Sequence, residues 1–188
     1  MVIGETRRWM PQWWMRMGVM VALGLLPACG DNGTGPEVEG SFSATITGDL
    51  QRTLSGTAVF GVTTVQGTDG FALAFERGSV STFDVDLILL GRFNTQRPGE
   101  GTYDIVASGC DACSEDNFDG GYVFQYPTGS SGIFVSDSGQ LTITKSTADT
   151  VAGSCSFIAH ALTDASSEIT ISASFTAVAG EIPGVPGG

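Results

Sequence analysis

The sequence predicts an all-β domain over residues 41–180, an antiparallel sandwich or up-and-down barrel of about nine or ten strands. Three observations predict it. Apolar residues recur at every second position through most of the chain, the period of strands with one buried face. Clusters of Gly, Pro, Asp, Asn and Ser interrupt these runs at short intervals. No window carries a capped apolar stripe at the helical period. With 41% hydrophobic and 15% charged residues, the chain is also too apolar and too lightly charged to remain disordered.

In chain order, Phe42, Ala44 and Ile46 alternate with Ser and Thr. Phe71, Leu73 and Phe75 alternate with Ala72, Ala74 and Glu76. Phe83, Val85, Leu87 and Leu89 read as the core face of the next strand, which leaves Asp84 and Asp86 as solvated outward positions. Tyr122, Phe124 and Tyr126 place three rings on one face, read first as core or cross-strand packing. Leu141 with Ile143, and Ile169 with Ile171, mark later strands. Turns are expected at Gly48-Asp49, Gly67–Gly70, Arg97–Gly101, Pro127–Gly132 and Asp164–Ser167. The glycines mark turns, and no phosphate-binding loop motif is formed by them.

The chain begins differently. Residues 1–16 carry Arg7, Arg8 and Arg16, and an apolar run from Met17 to Leu26 follows. A basic stretch and a short apolar run before a small residue have the form of a secretory signal. The run is too short for the roughly 20 apolar residues that span a bilayer. It ends in Leu26-Pro27-Ala28-Cys29, which resembles the lipobox of bacterial lipoproteins, although Pro27 is a less usual occupant of its second place. The resemblance implies cleavage before Cys29, a diacylglyceryl thioether on its sulfur and an acylated amino terminus, palmitate being a typical chain. Residues 1–28 are then a signal peptide, and 29–40 a lipidated Cys with a flexible acidic tether. Residues 181–188, EIPGVPGG, form a tail expected to be disordered. The body carries a second resemblance. Gly99-Glu100-Gly101-Thr102-Tyr103, the stretch Ser138–Ala159 and the segment Ile169–Ala177 are similar to a family of small exported lipoproteins of unknown function. That implies an antiparallel β domain in the cell envelope and assigns no catalytic residue.

Charge narrows the partners. The whole chain has a net charge of −12, and beyond residue 28 only five basic residues face nineteen acidic ones. Nucleic-acid binding needs clustered Lys and Arg to neutralise phosphates, so nucleic acid is excluded as a partner. Membrane attachment would come from the lipid rather than a basic patch.

Candidate chemistry is sparse. With Cys29 lipidated, Cys110, Cys113 and Cys155 are candidates for a disulfide whose pairing the sequence leaves open. Cys110 and Cys113 have redox spacing, but the acids around them would raise the thiol pKa rather than lower it. A Cys₃His zinc set with His160 is disfavoured, because Cys155 and His160 are five residues apart and would point to opposite faces of one strand. No metal is expected there. Glu115, Asn117 and Asp119 half-match a calcium loop, but Tyr126 stands where the bidentate Glu belongs. Only a looser, weak calcium site remains, and an acidic solvated loop is the plainer reading. No G-x-S-x-G occurs, and one histidine must serve any triad.

The expectation is an envelope protein held to the membrane through lipid on Cys29, with the outer membrane favoured and the domain periplasmic or extracellular. It acts as a non-catalytic binding or structural module without a cofactor, for a protein, glycan or small-molecule partner. The alternatives are a carbohydrate- or peptide-binding domain with Tyr122, Phe124 and Tyr126 facing outward, a lipocalin-like carrier with an open apolar cavity, and a hydrolase built on paired carboxyls.

Overall fold

The structure is a computed structural model, and it describes residues 39–65, 68–109 and 114–183. Nine strands form one sheet: β1 (Ser41–Gly48), β2 (Arg52–Val65), β3 (Thr68–Ser79), β4 (Asp84–Arg92), β5 (Gly101–Val106), β6 (Asp119–Gln125), β7 (Ser131–Ser146), β8 (Thr150–Ala161) and β9 (Asp164–Ala179). A single 3-10 turn, Val80–Thr82, lies between β3 and β4.

The sheet closes. β7 pairs with β6 and β8, and β9 pairs with β1, so eight strands run round an antiparallel barrel, with β5 as the extra strand. Register shows where β5 fits. Residues 131–135 of β7 pair with β6, and 138–143 of the same strand pair with β5. β8 takes the opposite edge of β7 over both stretches. β5 and β6 are therefore two halves of one interrupted stave, and the path from β1 to β9 is a meander. At the break, Ser136 stands in for the missing ladder bonds. Its hydroxyl accepts from the Gly120 amide at 2.9 Å and donates to the Val106 carbonyl at 2.7 Å.

The interior is packed with rings. Phe42, Phe75 and Phe175 stack with centroids 4.8–5.6 Å apart. Inward glycines make room for them: Phe42 lies opposite Gly56, Phe175 opposite Gly153 and Phe157 opposite Gly139. A Cβ on Gly139 would sit 2.3 Å from that of Phe157. Pairing small with large residues in this way lets a barrel this narrow fill without voids. Leu73, Phe75, Ile88, Leu90, Tyr122, Leu141 and Ile169 have no water-sized space against them. The open apolar cavity of a lipocalin-like carrier is thus absent from this part of the barrel.

Outside, hydroxyls dominate one wall. Thr102, Thr142, Ser154, Ser174, Ser43 and Ser55 form a continuous cross-strand row over β5, β7, β8, β9, β1 and β2. An apolar interior behind a hydroxyl exterior is the inverse of a membrane-spanning barrel. The opposite wall is apolar on both faces. There Ala72, Ala74, Val85 and Leu87 are buried under Ile182, which follows β9. The expected disordered tail is therefore corrected at Ile182, which is only 6% exposed; residues 184–188 lie outside the described residues.

That cover also corrects the phase of β4. Asp86, Ile88, Leu90 and Arg92 point inward, while Val85 and Leu87 face out beneath the tail. Asp86 is fully buried rather than solvated. Phe83 belongs to the preceding turn, with a left-handed φ of 54°. The last turn is Leu162-Thr163, and Asp164–Ser167 already belongs to β9.

The meander gives the barrel two ends. The β1–β2, β3–β4, β6–β7 and β8–β9 connections lie at one, called end A. The start of β1, the 93–100 loop, the β7–β8 turn and the end of β9 lie at the other, end B.

Candidate functional site

Of the five basic residues beyond residue 28, three point into the barrel: Arg52 and Arg77 near end A, and Arg92 near end B. Each continues the inward alternation of its strand. Arg52 leads Leu54, Ala58 and Phe60; Arg77 follows Phe71, Leu73 and Phe75; Arg92 follows Ile88 and Leu90.

At end A these groups share a network. Arg77 and Asp86 stand opposite each other in the β3–β4 ladder, and the Arg77 Nε donates to Asp86 Oδ2. Arg77 also reaches the half-exposed Asp84 at 3.2 Å. The Tyr126 hydroxyl donates to Asp86 Oδ1 at 2.5 Å, and the Tyr122 hydroxyl donates to the same oxygen. Arg52 crosses the mouth, donates from Nη1 to the Tyr126 hydroxyl, and lies 4.9 and 4.7 Å from the ring centroids of Phe124 and Tyr126. Asp86 thereby gathers three donors, which is what a fully buried carboxylate requires. Its hydrogen bond holds the Arg77 pKa above the ordinary guanidinium range. Burial first, then the bond to Asp86, pushes both tyrosine pKa values up. Arg52, Thr53, Leu54, Arg77, Asp86 and Tyr126 line an open depression of about 370 Å³.

The three rings are placed inward, as core packing requires and the alternative binding face does not. Tyr122 and Phe124 are buried, and Tyr126 is half-buried with its hydroxyl at the mouth. They make no exposed aromatic platform, because alternation puts them on the core side of β6.

End B is sealed. Arg92 lies over Phe71, Tyr103 and Phe118, with centroids 5.4–6.0 Å away. It donates to the Gln96 carbonyl and stands 3.5 Å from Asp116, which is 66% exposed. Burial lowers its pKa.

The remaining candidates do not converge. Cys155 points inward from β8 as a free, buried thiol, and burial pushes its pKa up to about 12. No second thiol stands beside it among the described residues; Cys110 and Cys113, the other disulfide candidates, lie outside them. His160 faces outward from the same strand, its Nδ1 2.8 Å from Asp137, the extra residue of a β7 bulge. Glu115 is exposed, Asn117 is half-buried in the loop, and Asp119 opens β6. Burial pushes the Asp119 carboxyl up to about 6. Among the described residues, no group of three or more His, Cys, Asp or Glu is placed to hold a metal ion. Cys29 and the lipobox also lie outside the described residues.

Sequence reasoning missed Arg52, Arg77 and Asp86. The available signal was charged residues standing in phase with the core positions of their strands. No family model, curated protein or solved structure matches the chain.

Proposed function

We propose that the protein is a lipid-anchored envelope module, attached through Cys29 and acting by binding rather than catalysis. The observation that carries this reading is the end-to-end asymmetry of the barrel. The chain joins the barrel at end B, where β1 begins, while the open polar depression lies at end A. A twelve-residue tether from Cys29 to Gly40 reaches at most about 40 Å, enough to hold the domain clear of headgroups. The hydroxyl-bearing outer wall supports a domain bathed in water, and a barrel whose middle is filled by side chains supports a binding or structural part. Asp86 has its lone pairs committed to three donors, which suits a group that orients neighbours better than one that shuttles protons.

The test is intact mass of the protein recovered from membranes, alongside Cys29→Ser. The expected result is a chain from Cys29 to Gly188 plus acyl groups, with the variant shifted to the soluble fraction. An unmodified chain in the soluble fraction from the native gene would overturn the anchor.

A further inference from the structure

We infer that the depression at end A is a binding site for a small oxyanion, a carboxylate or a phosphate, held by Arg52 with Arg77 beside it. This stands on the geometry of the mouth and does not depend on the lipid anchor.

Three observations carry it. First, the charges of the mouth are unevenly placed. Two guanidiniums face one buried carboxylate, and the second acid, Asp84, sits at the rim with half its side chain in water. Second, Arg77 is committed to Asp86 and Asp84, but Arg52 has no carboxylate within 4.0 Å among the described residues. Its one hydrogen bond goes to a neutral hydroxyl, and its buried Nε has no partner. A guanidinium carries five N–H donors in a planar fork that matches carboxylate and phosphate oxygens. Most of that fork is unclaimed. Third, the group is already held in place. Phe124 and Tyr126 support the Arg52 plane, and the Tyr126 hydroxyl, itself fixed by Asp86, sets its rotation. A donor ordered before the ligand arrives loses little side-chain entropy on binding.

The setting adds selectivity. Nineteen acids against five bases beyond residue 28 disfavour loose association of anions with the outer surface. Beyond a Debye length of about 8 Å those exposed charges are screened, so they scarcely weaken a bond formed inside the mouth. The depression, about 370 Å³, suits a ligand of small-metabolite size rather than a polymer.

Calorimetric titration of the full-length protein with inorganic phosphate, succinate and neutral succinamide tests this. Saturable one-to-one binding is expected for phosphate or succinate and none for succinamide; which anion binds identifies the source of the oxyanion. Arg52→Gln should weaken that binding by about tenfold or more, the scale of one charged hydrogen-bonding group. Arg97→Gln, at the far end against Ser146, should leave it unchanged. Should Arg52→Gln fail to fold, Arg52→Lys keeps the charge without the fork, and Tyr126→Phe keeps the ring without the hydroxyl. Both should then weaken binding several-fold. No saturable binding of either anion, equal binding of succinamide, or equal affinity in folded Arg52 and Tyr126 variants would overturn the assignment.

Discussion

The two ends of the barrel each bury arginine against aromatic rings, yet the outcomes differ. At end A, Arg77 meets a carboxylate that is itself buried, and the pair recruits Tyr122, Tyr126 and Arg52 into one network. At end B, Arg92 lies under three rings with a side chain only 4% exposed, but its counter-charge, Asp116, is largely in water. The guanidinium pKa values move in opposite directions for this reason: the Asp86 hydrogen bond raises that of Arg77, and desolvation lowers that of Arg92. Arg77 belongs to a polar site because its carboxylate is buried with it. Arg92, whose counter-charge stands in water, acts as a plug, its long stem and flat head packed on the core.

The largest effect should come from Asp86→Ala, which strands Arg77 and two tyrosine hydroxyls in the mouth. A loss of about 3–5 kcal/mol is expected from urea unfolding, the usual result of removing one partner of a buried pair. A loss below 1 kcal/mol would mean the end-A network is not the cohesive unit described. Next comes the junction between the ends. Ser136→Ala leaves the Gly120 amide and Val106 carbonyl without their partner and should cost about 1–3 kcal/mol, read the same way.

The third prediction concerns pH on the end-B side. Asp119 binds its proton more tightly in the folded chain, at about 6 against an ordinary 3.8. Its stabilising contribution is therefore complete below pH 3.8 and is lost as pH rises through about 6. Asp119→Asn should flatten stability between those two pH values; an unchanged slope would remove Asp119 as its source. The smallest effect is expected for Arg92→Met, which exchanges a poorly compensated charge for an apolar plug of similar length. Stability within about 1 kcal/mol of wild type is expected. A loss as large as that of Asp86→Ala would erase the distinction between the ends.

The fold was legible because a period of two survives wherever one barrel face meets water. Phe42, Ala44, Ile46 and Ile169, Ile171 follow it, since the outer faces of β1 and β9 are Ser and Thr. It misled at β4, where Ile182 covers the outer face. Val-Asp-Leu-Ile-Leu-Leu is apolar on both sides, and a local pattern cannot say which face a distant tail conceals. The same wrong phase turned Asp86 outward and hid the site. Closure of the sheet was not legible either, because sandwich and barrel differ only in whether β1 meets β9.

That seam has a consequence for how the molecule is made. With β5 and β6 counted as one stave, every other pair of neighbouring staves is adjacent in the chain and closes only a short loop. The β1–β9 pair is the exception: β1 meets β2 along one edge, and its other edge is covered only by β9. A chain cut short before Thr176 shortens or abolishes the β1–β9 ladder and offers unpaired backbone to proteases or to other chains. Closure thus makes the concealment of both sheet edges depend on residues 169–176, more than a hundred positions beyond the strand they cover.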